Sequence, residues 1–397
     1  MKKILVNTLK PGMAFNKPVY IDPDNVLVEA FEALKPSDLT RLTKWNIQEV
    51  ETDGDPTKPK IKQEIVIPEG PERNDIVKVK DQLKKAAAEL DKVDNIILDG
   101  EKLLEEAYTV ITEEKAFQIS RVRDLAEKIT TLMHDNPLCF MHLYHLEGKN
   151  TLYRHVVISA IFGAKLAGSL KFSQPKIIEL VFASLLMDVG MVLLPLSVRM
   201  KEGKLNPDEI NKLHTHPLRG YQLLTKVVKA KNSIALVALQ HQEHYDGSGY
   251  PQHIGGEELS EYARIAMIAD SYTAVLEDRT YRSRKLPYDA MKELLALGIF
   301  YYDPNYMRSF LNTFSVYPVG SLVEMSDKRV GIVVSTVPEK PMRPIVYILR
   351  DSNEERPENA YFIHLLYHTD LYIAKAIFPD ESGINYMQEM DLILQSN

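Results

Sequence analysis

The segment from Gln240 to Pro251 constrains this chain more than any other part of the sequence. It reads QHQEHYDGSGYP, in which a histidine and a glutamate at the end of an apolar helical stretch are followed at once by a glycine-rich turn. Gly247 and Gly249 permit positive φ at two positions, and Pro251 then restricts the backbone. The segment therefore predicts a turn of specified shape directly behind a group of candidate metal ligands.

This segment resembles the HD-GYP signature, written HHExxDGxGYP, of bacterial metal-dependent phosphodiesterases that hydrolyse the second messenger cyclic di-GMP. His241 and Glu243 match the first half of the signature, whereas Gln242 stands where the family has its second histidine. The second half, called the GYP turn below, is intact at Asp246, Gly247, Gly249, Tyr250 and Pro251.

Other motifs of the family precede the signature in the expected order, and the resemblance covers about residues 119 to 315. His155 occupies the position of the family's first metal histidine, at the start of an apolar helical stretch. The run LLMDVGM at 185–191 resembles LLHDIGK and retains Asp188. Met187 replaces the histidine of that motif and Met191 replaces its lysine.

Three further matches lie on either side of the signature. His216 lies in a KLHTHP segment that resembles the KHP element, and Asp270 lies in IADSYTA, which resembles IADxYDA. Thr273 replaces the second aspartate of that motif. The run DRTYR resembles DRPYR and places Arg279 and Arg282 where the family contacts substrate phosphate, for which arginine offers paired donors.

The resemblance implies two cations that share Asp188. The first would be held by His155, Asp188, Asp270 and the Met187 position, and the second by Asp188, His216, His241 and the Gln242 position. A thioether is a poor ligand for iron(II) or manganese, whereas a glutamine oxygen is a hard donor, so the first site is affected more. We expect one divalent transition metal, iron or manganese, and do not expect two.

The resemblance to the HD-GYP family also implies roles for several other residues. Asp188 and Glu243 are the expected catalytic residues. Thr151 stands where three-metal members have a glutamate, which disfavours a third metal. Loss of the lysine at Met191 removes a positive charge near the substrate phosphate, so substrate affinity should fall as well as rate. Because Arg279 and Arg282 are retained, nucleotide binding is nevertheless expected to outlast catalysis. His214 and His244 lie outside the motif positions and are expected to face solvent.

Composition and charge narrow the function further. The net charge of −7 and the absence of a concentrated basic stretch argue against general nucleic-acid binding. The single cysteine, Cys139, fits a reducing compartment. The longest apolar run, 181–198, contains an aspartate, a glycine and a proline, so no membrane span is expected. With no signal peptide recognised, a cytoplasmic location is predicted.

The chain is predicted to be multidomain and mainly α, with an HD-type helical core preceded by a small α+β module and followed by a short β-rich extension. The predicted parts are the module at 1–60, a connector and helical linker at 61–118, the HD-GYP-like domain at 119–315 and the extension at 316–397. Core helices are expected at 151–168, 174–188, 207–228, 232–244, 260–277 and 287–299, and strands of the extension at 321–325, 329–335 and 344–349.

The linker carries a heptad pattern of apolar residues from Ile76 to Ile97. Three repeats leave two alternatives open, which are packing against the chain's own helices and formation of a homodimer. A signal arriving at the N-terminal module could travel along these helices.

Two functions follow from the degenerate motifs. We expect a cyclic di-GMP signalling protein of the HD-GYP family with an impaired metal centre, which binds the dinucleotide or a partner rather than hydrolysing it efficiently. The alternative is an active metal-dependent cyclic di-GMP phosphodiesterase. The resemblance also implies a diguanylate cyclase domain as a partner of the GYP turn.

Overall fold

The structure is a computed structural model, and it forms two compact units, Met1–Ile65 and Val66–Leu394. It describes residues 1–22, 25–28, 30, 33–34, 36–44, 47–57, 65–66, 70–87, 90–135, 143–144, 151–201, 203–277, 285–357, 359–378, 384, 389 and 393. In this part of the chain no helix combines the length and the apolar character that a membrane crossing requires.

The first unit is a small α+β module. Its elements are β1 (Lys2–Leu5), β2 (Ala14–Phe15), β3 (Val19–Asp22), β4 (Asn25–Val28), α1 (Pro36–Lys44), β5 (Glu49–Thr52) and β6 (Pro56–Thr57). Four of the strands form an antiparallel sheet in the order β1-β5-β3-β4. Phe15, Leu42 and Val50 belong to its apolar core, so one face of the sheet and one face of α1 are buried together.

The helices of the second unit carry the predicted site. A short strand, β7 (Ile65–Val66), is followed by α2 (Arg73–Ala87), α3 (Leu90–Thr112), α4 (Ser120–Asp135), α5 (Leu152–Ser169), α6 (Gln174–Ser184), α7 (Leu196–Arg199), α8 (Pro207–Leu213), α9 (His216–Lys226), α10 (Asn232–Gln240), α11 (Glu261–Leu276), α12 (Pro287–Tyr301) and α13 (Pro304–Phe314). Helix α5 is buried over most of its surface because it packs against α3, α4, α6, α11 and α13. It forms the centre of the helical core.

The helix expected at 207–228 is two helices, and this prediction was wrong. Helix α8 ends at Leu213 and α9 begins at His216. Pro217 lies in the first turn of α9, where the missing N–H costs no intrahelical hydrogen bond. The proline could have revealed the break, which sets His216 at the start of a helix.

The helices predicted at 174–188 and 232–244 end about four residues early. After α6 the amides of Leu186 and Met187 bond to carbonyls three residues back, which is the tighter 3₁₀ pattern. After α10 the amide of Glu243 likewise bonds to the carbonyl of Gln240. Asp188 and His241 therefore lie in the turns that follow these helices rather than within them.

The heptad seam of the linker is buried inside the single chain. Its described side chains expose between 0% and 3% of their surface: Ile76, Val79, Leu83, Val93 and Ile97. Helix α3 packs against α4 and α5, and α2 contacts strand β9 of the C-terminal sheet. Of the two alternatives, the structure supports packing within the chain.

A β-rich region closes the second unit, so the predicted fold class is confirmed. Its strands are β8 (Leu322–Met325), β9 (Val330–Ser335), β10 (Ile345–Arg350), β11 (Ala360–His364) and β12 (Ile373–Ala376), in the order β12-β8-β9-β10-β11. The pairs within this order are antiparallel. Strands β11 and β12 were not predicted, because each is short and follows a polar, loop-like stretch.

Candidate metal centre

The five residues predicted as metal ligands come together in the second unit. Their ligand atoms form two groups, each with all atoms within 4.8 Å of one another: Asp188, His216 and His241 in one, and His155, Asp188 and Asp270 in the other. Asp188 belongs to both groups. Asp270 exposes 13% of its side chain and the other four residues are buried. The arrangement provides two adjacent groups of candidate metal ligands that share one carboxylate.

Helix ends supply most of these side chains. His155 lies in the first turn of α5, whose start is capped by the Thr151 hydroxyl, the acceptor of the Arg154 amide. His216 opens α9, His241 directly follows α10, and Asp188 directly precedes the 3₁₀ turn Val189–Leu193 that lies beyond α6. Asp270 alone comes from a helix interior, in α11.

Gly190 allows the turn that carries Asp188 to pack against the start of α9. A Cβ atom at this position would lie 2.1 Å from the carbonyl oxygen of His216 and 2.7 Å from the amide nitrogen of Gly220. Both are backbone atoms of a helix and cannot move aside cheaply. A glycine is therefore needed to bring Asp188 next to His216.

The first group, called the histidine site below, has the geometry of a cation site. The Nε2 atoms of His216 and His241 are 3.2 Å apart, and each is 3.4 Å from Oδ1 of Asp188. A metal ion about 2.1 Å from each of three ligand atoms would separate those atoms by roughly 3.0 to 3.4 Å. The spacing therefore fits one cation.

Hydrogen bonding on the far side of each ring supports this assignment. Nδ1 of His216 lies 2.7 Å from the carbonyl oxygen of Leu213, and Nδ1 of His241 lies 2.9 Å from that of Ala238. Each Nδ1 must carry its proton to donate to a carbonyl, so in the neutral rings both Nε2 atoms present lone pairs. Two lone pairs and a carboxylate facing one another need a positive charge between them.

The electrostatics of the histidine site follow from burial and from Asp188. Burial lowers the pKa of His216 to about 4, against the raising effect of Asp188. The pKa of His241 is raised, since its hydrogen bond and charge interaction with Asp188 outweigh burial. Burial alone would raise the pKa of Asp188, but the neighbouring histidines, His241 first, lower it below its usual range. Asp188 is therefore an anion.

The second group is called the carboxylate site, because His155 lies in it between two carboxylates. Its Nε2 is 2.7 Å from Oδ1 of Asp270, and its Nδ1 is 2.8 Å from Oε2 of Glu277. Although burial opposes it, these two neighbours raise the pKa of His155 well above its usual value. Glu277 was not predicted as a site residue, because it directly follows α11 and lies outside the family motifs.

Comparison with known proteins agrees with this geometry. Residues 136–306 match the HD domain model, and residues 322–384 match the model of the KOW domain associated with the HD domain. The central domain belongs to the HD family. The recognition of an HD-GYP protein from motif order and spelling is confirmed.

Curated relatives are similar over part of their length. A cyclic di-GMP phosphodiesterase of Pseudomonas aeruginosa is 27% identical over 244 residues, which are 61% of this chain and 59% of that protein. The cyclic di-GMP phosphodiesterase response regulator RpfG of Xanthomonas campestris is 36% identical over 146 residues, 36% of this chain and 39% of that protein. The matched part is thus less than two thirds of each relative.

Among solved structures, the protein Bd1817 of Bdellovibrio bacteriovorus, described as an HDG"Y"P protein, has a TM-score of 0.49 and 17% identity. The match covers 78% of this chain and 97% of Bd1817.

The HD domain of this chain uses Gln242 to join the GYP turn to the carboxylate site. The side-chain oxygen of Gln242 accepts a hydrogen bond of 3.0 Å from the Tyr250 hydroxyl, and its nitrogen donates one of 3.4 Å to Oδ2 of Asp270. One of the two lone pairs on the oxygen that could serve as a hard ligand is thus engaged by Tyr250. Met187, which replaces a histidine of the family pattern, is fully buried.

The GYP turn is held by its own polar groups and by two glycines. Oδ1 of Asp246 accepts the amide and the hydroxyl of Ser248, at 2.9 and 2.6 Å. Gly247 has a φ of 79°, and a Cβ atom at Gly249 would lie 2.4 Å from the backbone of Glu243. The peptide bond between Tyr250 and Pro251 is cis. The predicted turn of specified shape is what the structure contains.

Glu243 supports the far end of this turn. Its Oε1 accepts the amide of Gln252 at 2.6 Å, and its Oε2 is buried without a hydrogen-bond partner among the described residues. Burial raises the pKa of Glu243, against the lowering effect of the backbone amides that follow Pro251. The structure thus gives Glu243 a part in positioning the turn, and a catalytic role for it stays a prediction.

The expectation that His214 and His244 face solvent was wrong. Both are half-buried, because each ring stacks on a tyrosine. His214 lies 3.7 Å from the ring of Tyr250 at an interplanar angle of 12°, and His244 lies 3.9 Å from the ring of Tyr301 at 11°. Burial lowers the pKa of both histidines. They flank the GYP turn and hold it against the helices.

The remaining sequence predictions concern the two arginines expected to contact phosphate, Thr151 and Met191. Arg279 and Arg282, the expected phosphate contacts, lie outside the described residues. Thr151 donates a hydrogen bond of 2.6 Å to Glu101 in addition to capping α5. Met191 lies half-buried in the 3₁₀ turn that follows Asp188, and it places no positive charge there.

Proposed function

We propose that this protein binds a cyclic dinucleotide, cyclic di-GMP first among them, with one divalent cation held at the histidine site. In this proposal hydrolysis is slow or absent, and the protein acts in signalling through binding. Iron and manganese are the proposed metals because two imidazoles and a carboxylate suit either ion. The names of the curated relatives support the choice of cyclic di-GMP as ligand.

The observation that carries the proposal is the orientation of the two imidazoles. Hydrogen bonds to the carbonyls of Leu213 and Ala238 keep the Nδ1 atoms of His216 and His241 protonated, so that both Nε2 atoms face Asp188. Because the rings are buried and held from behind, little reorganisation is needed on metal binding. When bound, the cation supplies positive charge against the non-bridging oxygens of a phosphodiester.

Reduced hydrolysis follows from the residues around the carboxylate site. Rapid phosphodiester hydrolysis by this class of centre uses two cations that stabilise both the attacking and the leaving oxygen. Met187, which stands at the fourth ligand position of this site, offers only a thioether. A second cation would therefore have only His155, Asp188 and Asp270 as protein ligands.

One observation favours the second candidate, an active phosphodiesterase. The ligand atoms of His155, Asp188 and Asp270 lie within 4.8 Å of one another even though Met187 replaces a histidine. Three ligands are enough for a catalytic metal in other enzymes, provided that open positions remain for water and substrate.

The test uses the full chain, stripped of metal and reloaded with Mn²⁺. Metal content, calorimetric binding of cyclic di-GMP and release of linear products are measured for the wild type and H241A, with His134→Ala, an exposed histidine on α4, as matched control. We expect one tightly held metal per chain that only H241A loses, heat of binding with cyclic di-GMP, and no turnover above that of H241A.

Two other experimental outcomes would each point to a different function. Turnover well above that of H241A would establish the active phosphodiesterase instead. Absence of binding heat at high protein concentration would leave a platform for a protein partner, such as a diguanylate cyclase domain, as the remaining function. The exposed part of such a platform includes Asp246, Ser248, Gln252 and His253.

A further inference from the structure

Glu277 is a carboxylate at the carboxylate site that lies outside the family motifs. Its Oε2 is 2.8 Å from Nδ1 of His155, and only 11% of its side chain is exposed. Its Oε1 is buried with no hydrogen-bond partner among the described residues. Burying a carboxylate is costly unless the charge is compensated, so the contact with His155 needs a reason.

The packing of α5 against α11 sets this contact. The two helices run antiparallel, since His155 near the start of α5 contacts Asp270 and Glu277, while Gly163 further along α5 faces Ala269. A Cβ atom built at Gly163 would be 3.8 Å from that of Ala269, so small residues let the helices approach closely. The end of α11 is thereby brought to His155.

Thr273 lies in the last turn of α11, four residues before Glu277, which directly follows the helix. Its hydroxyl donates a hydrogen bond of 2.9 Å to the carbonyl of Ala269 and is therefore directed back along its own helix. This chain thus lacks a carboxylate at position 273, where the family motif has aspartate, and carries one at position 277 that reaches His155.

The protons on the two ring nitrogens of His155 indicate the role of its contact with Glu277. Both ring nitrogens are at hydrogen-bond distance from a carboxylate oxygen, but a neutral imidazole has only one N–H. Both contacts are therefore made by a ring that carries a proton on each nitrogen. A divalent cation would take the place of the Nε2 proton that faces Oδ1 of Asp270, while Nδ1–H would stay with Glu277. That position is the carboxylate site, with Asp188 as its third ligand.

We propose that Glu277 is a positioning residue that holds the Nδ1–H form of His155 and so supports a second, weaker cation at the carboxylate site. Histidine ligands commonly donate their other ring N–H to a carboxylate, which fixes the ring and makes the imidazole more basic. Glu277 thereby offsets part of the loss of a ligand at Met187. The inference goes beyond the proposed function, which needs only the cation at the histidine site.

The first test counts cations without reference to turnover. Metal-free wild type, E277Q, E277A and the control E257Q, an exposed glutamate in the 3₁₀ turn Gly256–Glu258, are titrated with Mn²⁺ while free Mn²⁺ is followed by electron paramagnetic resonance. We expect a tight and a weaker class of site in the wild type and in E257Q. In E277A the weaker class loses affinity by about 10- to 100-fold, with E277Q between the two and the tight class unchanged.

The second test reads the ring directly and separates positioning from a merely structural role. In protein loaded with Zn²⁺, ¹H–¹⁵N spectra of the histidine rings, assigned through H155Q, are expected to show a slowly exchanging Nδ1–H at His155. E277A is expected to lose this signal, whereas E277Q, which keeps a hydrogen-bond acceptor of the same size, retains it in part.

The outcomes distinguish this inference from the function it rests on. A single class of Mn²⁺ site in the wild type, a weaker class unaffected in E277A, or an unchanged His155 signal would overturn the role of Glu277 and leave the proposed function standing. A wild-type protein that binds no Mn²⁺ would overturn the proposed function, and this inference with it.

Discussion

The hydroxyl of Tyr108 donates a hydrogen bond of 2.9 Å to the carbonyl oxygen of Leu185. This bond joins helix α3 to the turn that ends in Asp188, and Tyr108 is fully buried. Burial, followed by the charge of Asp188, raises the pKa of Tyr108 well above its usual value, which keeps the hydroxyl a donor. The linker helices are thus in direct contact with the segment that carries the shared carboxylate.

Removing this hydroxyl is expected to weaken both the fold and the metal site. Tyr108→Phe leaves a buried polar group without its partner, which costs about 1–3 kcal/mol in the free energy of unfolding. Because the affected turn positions Asp188, Mn²⁺ affinity should fall as well. Denaturant unfolding and Mn²⁺ titration check this, with Tyr153→Phe as control because that neighbouring side chain is only half-buried. Equal affinity in wild type and Y108F would show that α3 does not influence the site.

Restoring the family ligands should raise turnover. The variant M187H/Q242H adds one imidazole to each proposed cation site and is expected to hydrolyse cyclic di-GMP at least about tenfold faster than the wild type in Mn²⁺, since both cations take part in such chemistry. Product release measured by chromatography checks this. Q242H alone also removes the acceptor of the Tyr250 hydroxyl, so it is the matched single variant. No gain in the double variant would mean that another step or residue limits hydrolysis.

Gly249→Ala should distort the GYP turn. The added Cβ would lie 2.4 Å from backbone atoms of Glu243, so the segments must move apart at a cost of about 3 kcal/mol. Gly168→Ala is the control, because nothing lies within 4 Å of a Cβ atom there. We expect a lower unfolding midpoint for G249A and an unchanged or slightly higher midpoint for G168A. Similar midpoints for both would contradict the close approach of Gly249 and Glu243.

Acid should destabilise the second unit partly through His364. Burial lowers its pKa, against the raising effect of Asp75, which lies 3.4 Å from its Nε2, and of Glu72; the nearby His368 lowers it further. Because the folded-state pKa lies below the unfolded value near 6.5, the unfolded chain binds the proton more readily. The contribution of His364 is therefore complete above about pH 6.5 and is lost as the pH falls.

Comparison of wild type with H364Q measures this effect. The difference in their free energies of unfolding should shrink as the pH is lowered from 7 to 5, because a glutamine does not titrate. His253→Gln is the control, since His253 is exposed. Parallel pH profiles for wild type and H364Q would refute the assignment.

The five candidate metal ligands could be predicted from the sequence, through the motifs that it shares with the HD-GYP family. His155, Asp188, His216, His241 and Asp270 each lie in a short motif whose order matches the family. The resemblance of these motifs to the HD-GYP family implied that the five residues converge, and the helical period placed them in helical segments. Motifs of this kind can be recognised in a single sequence because each consists of a few neighbouring residues.

The tertiary structure decided what the motifs leave open. Glu277 reaches His155 from 122 positions away, and only the antiparallel packing of α5 on α11 makes them neighbours. The apolar seam from Ile76 to Ile97 suits either a partner chain or the protein's own core, because periodicity specifies a face and not what covers it. The contact of the Gln242 oxygen with the Tyr250 hydroxyl depends on how the GYP turn closes, and the stacking of Tyr250 on His214 from another segment helps to fix that closure.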